Sequence, residues 1–156
     1  MLNDRQRTEL LQIARAAIEE GLATGREMRV NLAGRAPELR QSAATFVTLK
    51  KNRRLRGCIG TLEAHRPLAQ DVASNAYAAA FRDPRFSPLA PGELDQLAVS
   101  ISLLSAPEPL PVESEQELLE KLQPGRDGLV LQDGAHRATF LPAVWEELAK
   151  PVLFLG

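Results

Sequence analysis

"ATFVTLKKNRRLRGCIG", residues 44–60, decides how this chain is read. Phe46, Val47 and Thr48 favour an extended backbone, because aromatic and β-branched side chains fit a pleated surface. The polar run Lys51-Asn52-Arg53 interrupts them, and the segment from Arg54 to Gly60 resumes the extended pattern. Two such runs around a short polar turn predict a β-hairpin. A tight mirror-image turn prefers Gly where Arg53 stands, so the register stays open at this point. In a regular strand Arg54, Arg56 and Cys58 share one face, and Leu55, Gly57 and Ile59 share the other.

Helices flank the hairpin on both sides in sequence. Leu10, Leu11, Ala14, Ala17, Ile18 and Leu22 recur at helical spacing after a cap at Asn3 or Asp4, with a stop at Gly25. A second helix is expected from Pro67 to about Phe81, with a narrow face of Leu68, Val72, Ala76, Ala79 and Ala80 that also carries Asn75. "FRDPRFSPLAPGEL" reads as a long proline-stiffened loop, and "QLAVSISLLSA" as a strand in which Val99, Ile101 and Leu103 alternate with their neighbours. Further on, Ser114-x-x-Glu117 has the form of a capping box. "GLVLQDGAHRATF" predicts another hairpin with Asp133-Gly134 at its tip, and a last helix is expected near Pro142. Hairpins and helices without a βαβ rhythm predict an α+β fold. The expected architecture is an antiparallel sheet flanked by helices with a second, smaller β lobe, making one domain over residues 1–156. The apolar end "PVLFLG" either docks or marks a chain cut short.

The 19 Lys and Arg against 20 Asp and Glu leave a formal net charge of −1, which argues against bulk binding to a polyelectrolyte. No apolar run approaches the roughly 20 residues of a membrane span, so no membrane association is expected. The charged, amphipathic start lacks the layout of a secretory signal, and a single cysteine suits a reducing compartment. A cytoplasmic protein is expected. There is no paired-cysteine or HxxxH spacing, no P-loop and no GxGxxG, so neither a metal nor another cofactor is expected.

Chemistry concentrates around Cys58. Strand geometry sets Arg56 and Cys58 about 7 Å apart, near enough for the guanidinium to favour a thiolate. Gly57 and Gly60 weaken the strand, which makes sense where a ligand or another backbone must come close. The competing reading is that Cys58 fills a core position and the glycines serve packing. A cysteine nucleophile needs a base, and the only histidines are His65 and His136. Lys50, Lys51, Arg53, Arg54 and Arg56 lie within residues 50–56 and could meet an anionic small molecule or RNA, although no aromatics interleave them for base stacking. Asp83 and Arg85 sit in the rigid loop, as an anchoring pair or as part of a site. Asn75 needs hydrogen-bond partners if buried. The sequence expectation is that Cys58, Asn75 and the Asp83–Arg85 segment meet in one cleft, with Cys58 catalytic and Arg56, Gly57, Asn75, Asp83 and Arg85 binding substrate.

"LRGCIG" at 55–60, preceded by "FVTL" at 46–49, resembles the signature of the AMMECR domain family. The likeness continues through Asn75, "AAFRDPRFSPL", Glu93-Leu94, "VSISLLS" and "FLPAVWEEL". The resemblance implies an α+β fold of a larger and a smaller lobe, with the hexapeptide near their junction. It also implies kinship with component A of the AmmeMemoRadiSam system, and hence a Memo-type protein and a radical-SAM enzyme as partners. It implies no particular reaction. An enzyme, a non-catalytic module serving such partners, and an RNA- or nucleotide-binding protein all remain open. The chain differs from the family pattern at Arg53, where Gly is usual, and at Ala138 and Ala143. Members usually continue with a further helix and a closing strand.

Overall fold

Residues 44–60 do form the hairpin that their pattern predicts. In the computed structural model, which describes residues 2–104, 113–114, 116–117, 120, 129–133 and 136–140, β1 (Ala44–Lys51) runs antiparallel to β2 (Arg54–Gly60). Lys51 pairs with Arg54, so it belongs to the strand and the turn is only Asn52-Arg53. Both turn residues are left-handed, with φ of 52° and 65°. A mirror-image turn matches the twist of the two strands, and hairpin closure outweighs the roughly 1 kcal/mol that a left-handed Arg costs. Gly57 faces Leu49 while Leu55 faces Lys50, so Arg56 is the extra residue of a β-bulge. Strict alternation therefore fails at Arg56, and its side chain is not bound to share the face of Cys58.

β3 (Leu97–Leu104) pairs antiparallel along the other side of β1, from Ala44 opposite Leu104 to Lys51 opposite Leu97. The sheet order is β2-β1-β3, which makes β1 central and, among the described residues, β2 an edge. Thr45, Val47 and Leu49 on the central strand are accordingly fully buried.

α1 (Asp4–Thr24) starts at a complete capping box between Asn3 and Gln6 and ends at a left-handed Gly25. α2 (Pro37–Arg40) is a single turn. α3 (Leu68–Phe81) follows Pro67, and its alanine-rich face lets it lie close to both α1 and the sheet. Leu10, Ile13, Ala17 and Ile18 of α1, Val72, Ala76 and Ala80 of α3, and Val47 and Leu49 of β1 belong to one apolar core. Part of the expected proline-rich loop is ordered further: Pro91–Gln96 forms a 3-10 helix in which the Ala90 N–H donates to the Glu93 carboxylate at 2.8 Å. A loop carboxylate that satisfies a free N–H replaces a helical bond there.

The chain divides into two compact units, Met1–Pro107 and Glu108–Gly156. In the second, β4 (Leu129–Asp133) pairs antiparallel with β5 (His136–Phe140), from Leu129 opposite Phe140 to Asp133 opposite His136. The Glu117 N–H donates to Ser114 Oγ at 3.1 Å, which is the forward half of the expected capping box. Gly134 of the expected hairpin tip, the helix near Pro142 and residues 151–156 lie outside the described residues. With both helices and antiparallel sheets the fold is α+β.

Candidate functional site

Among the described residues the LRGCIG strand pairs on one side only, with β1, and a three-residue turn covers its outer side at Cys58. In an antiparallel pair, residues alternate between those bonded to the partner strand and those whose N–H and C=O point away. The Thr61 N–H donates to the Thr45 carbonyl at 2.9 Å, which sets the phase. Three positions back, opposite Thr48, both backbone groups of Cys58 therefore face outward.

Asp83 lies two residues beyond α3, and its Oδ2 accepts the Cys58 N–H at 3.0 Å. The Arg85 Nη2 reaches the Cys58 carbonyl at 3.4 Å and donates to Asp83 Oδ2 at 2.7 Å, while Nε donates to Oδ1 at 3.0 Å. The Arg85 N–H also donates to Oδ1, at 3.1 Å, so Asp83-Pro84-Arg85 is an Asx turn stiffened by proline. The Asp83 side chain is 2% exposed and that of Arg85 54%. The guanidinium holds the Asp83 carboxyl well below the ordinary carboxylate range despite the opposing effect of burial. The same bond raises the Arg85 pKa.

The Cys58 thiol is half-buried, and its Sγ lies 3.3 Å from the Thr48 hydroxyl. The guanidinium that approaches Cys58 belongs to Arg85. Arg56 turns elsewhere: Nε donates to Glu93 Oε1 at 3.1 Å and Nη2 to Glu93 Oε2 at 3.2 Å and to the Ser87 carbonyl at 2.8 Å, while Nη1 is buried with no hydrogen-bond partner among the described residues. Lys51 Nζ adds a third contact to Glu93 at 3.1 Å. With these donors, Arg56 foremost, the Glu93 pKa falls from 4.5 to about 2. Phe86 lies beneath both guanidiniums, 5.8 Å from Arg56 and 5.5 Å from Arg85. The Asp83–Phe86 turn is thus fastened to β2 at Cys58 and again at the bulge.

Asn75 stands in a different cluster. It is 3% exposed, and its Nδ2 lies 3.0 Å from the Thr45 carbonyl and 3.1 Å from Thr45 Oγ1, Thr61 Oγ1 and Asp71 Oδ2. Asp71, fully buried one turn earlier on α3, is the hub of that cluster. Its carboxylate accepts from Thr45 N and Oγ1, Thr61 Oγ1 and Arg66 Nε at 2.6–2.9 Å. The structure brings Cys58, Asp83 and Arg85 together, links Arg56 to the same turn through Ser87, and gives Asn75 to the start of β1 and the residue just past the end of β2.

The two glycines of the motif serve packing. A Cβ on Gly57 would lie 2.1 Å from the Ala79 carbonyl oxygen of α3, and one on Gly60 would enter the Phe46 ring. Of the two histidines, His65 is exposed and bonds the nearby Glu63 carbonyl through Nδ1, and His136 falls in β5. Glu93 enters the sequence reading only through the family resemblance, with no role attached, and Asp71 does not enter it at all. Asp71 is detectable from its i,i+4 spacing to Asn75 on an otherwise apolar face. Among the described residues no three His, Cys, Asp or Glu side chains converge to hold a metal ion, and no helix is long and apolar enough to cross a membrane.

A family model described as AMMECR1 matches residues 11–155, and so takes in every element that builds the Cys58 turn. The chain belongs to the AMMECR1 family. A protein from Thermofilum pendens is 41% identical over 86% of this chain and 68% of its own length. One from Methanothermobacter thermautotrophicus is 43% identical over 92% and 74%. The crystal structure of the uncharacterized protein PH0010 from Pyrococcus horikoshii superposes with a TM-score of 0.90 at 36% identity, covering 99% of this chain and 78% of that one.

Proposed function

We propose that this AMMECR1-family chain binds an anionic small molecule beside the LRGCIG strand, with the Cys58 thiol at the site and Arg85 as the cation that meets the ligand. One observation carries this reading. Arg85 is half-exposed, yet it is fixed in place by a nearly inaccessible carboxylate that is itself bonded to the thiol-bearing residue. A long cation normally loses rotamer freedom on binding, and one already held by a rigid turn loses little. Arg56 and Glu93 support the turn from behind. The family resemblance adds that the chain acts with a Memo-type protein and a radical-SAM enzyme in the cytoplasm. Co-purification of those two proteins with the full chain tests this part.

The site reading is tested by the rate at which iodoacetamide labels Cys58. Phosphate or pyrophosphate should slow labelling of the native protein, and Arg85→Ala should remove that protection. Labelling that needs denaturant, or equal rates with and without the anions, would return Cys58 to a packing role. RNA binding through the hairpin tip is the second reading, favoured by the exposure of Arg53 and Arg54. Replacing both should flatten the salt dependence of any RNA affinity.

A further inference from the structure

An edge strand offers a row of unpaired N–H and C=O groups to any strand it meets, and folded proteins block such edges. Among the described residues β2 is an edge of the three-stranded sheet, and at Cys58 both of its backbone groups point away from β1. The Asp83 carboxylate gives the Cys58 N–H an acceptor and the Arg85 guanidinium gives its C=O a donor. One acceptor and one donor are what a residue of a fourth strand would supply. The Asx turn and Pro84 hold the two side chains in register with each other, and the bond from Arg56 to the Ser87 carbonyl fastens the same loop at the bulge.

We infer that the Asp83–Arg85 ion pair stands in for a fourth strand, closing the outer edge of β2 at Cys58 against a second copy of this chain. The second copy fits because an antiparallel pair about a two-fold axis at Cys58 would let each N–H meet the other C=O. The inference is independent of any ligand at the thiol. It also brings its own reporter, since Cys58 is the one cysteine of the chain and the two-fold pair would set the two thiols side by side.

The test compares the full native chain with Asp83→Ala/Arg85→Ala over a range of concentrations, using a short bis-maleimide to join neighbouring thiols. The native chain should stay uncrosslinked. The double variant should give about tenfold more Cys58-linked dimer, the change expected from freeing one edge hydrogen-bond pair. A double variant with the native circular dichroism and no more linked dimer than the native chain would overturn the inference, as would equal crosslinking of both. Should the double variant lose its helical signal, Asp83→Ser/Arg85→Ala decides instead, because a serine hydroxyl keeps a turn of the same kind without the carboxylate that covers the N–H. A similar gain in linked dimer is expected from it, and a native-like yield would overturn the inference.

Discussion

Two buried aspartates tie α3 to the hairpin, one at each end of the helix, and they differ in what they leave over. Asp71, at the start of α3, accepts from Thr45, Thr61, Arg66 and Asn75, and its arginine is 29% exposed. Asp83, just past the end, accepts from Cys58 and Arg85, and its arginine is 54% exposed beside a half-buried thiol. The first cluster spends its donors and acceptors on joining β1, the end of β2 and α3. The second leaves a fixed cation facing solvent. Buried polar networks that are fully satisfied specify a structure, and an oriented group with spare capacity can meet something else.

The sharpest way to break this contrast is to remove the Asp71 carboxylate. Asp71→Ala would take the carboxylate acceptor from Arg66 Nε, two threonine hydroxyls and the buried Thr45 N–H, so a loss of about 3–5 kcal/mol is expected in urea unfolding. A loss near zero would mean that the cluster is incidental to the fold. Between the two aspartates, α3 touches β2 at Gly57. Gly57→Ala would press a methyl group into the Ala79 carbonyl and should cost about 1–3 kcal/mol by the same measurement. An unchanged midpoint would show that α3 can shift, and then the two ends of the helix are not held at a fixed spacing.

How much of this could be seen in the sequence follows from the range of each signal. The hairpin, the Asn3 cap and the Gly25 stop are local patterns, and all are present in the fold, whereas the alternation of β3 holds only as far as Ile101 and fails at Leu103, which is 48% exposed. The bulge at Arg56 carries no local mark, because it is seen only in how β2 registers against β1. Gly57 and Gly60 are legible as weak points of a strand, but nothing nearby in sequence says that Ala79 and Phe46 fill the space. Asn75 reads as an amide in need of partners. Its partners, Thr45 in β1 and Thr61 just past β2, are brought beside α3 only by the tertiary fold.

A smaller effect sharpens the electrostatic side. The Glu93 pKa is lowered from 4.5 to about 2, and Asp83 is depressed in the same direction. A depressed carboxyl stabilises the fold above its unfolded pKa, and that stability disappears as the pH falls through the folded value. Stability should therefore decline from about pH 5 down to about pH 2, and Glu93→Gln should make that decline shallower. Equal slopes for the two proteins would mean that Arg56 and Lys51 do not hold the Glu93 charge in solution. The turn beside Cys58 would then lack its support from behind.

The smallest expected effect is a gain. Arg53 is held at φ 65°, a conformation that costs a residue with a Cβ but not glycine. In a mirror-image turn the second central position favours Gly after Asn, and Asn52 already occupies the first. Arg53→Gly should raise stability by about 0.5 kcal/mol: the roughly 1 kcal/mol of left-handed strain is relieved, and the extra freedom of glycine in the unfolded chain takes back about half of it. Arg53 has an exposed side chain and lies at the far tip of the hairpin from Asp71 and Thr45. The gain should therefore be the same in the native background and with Asp83→Ala, since separate sites add. Thermal unfolding of the two single variants and the double variant checks this. A gain that vanishes with Asp83→Ala would show that the turn at Cys58 governs the whole of β2 out to its tip.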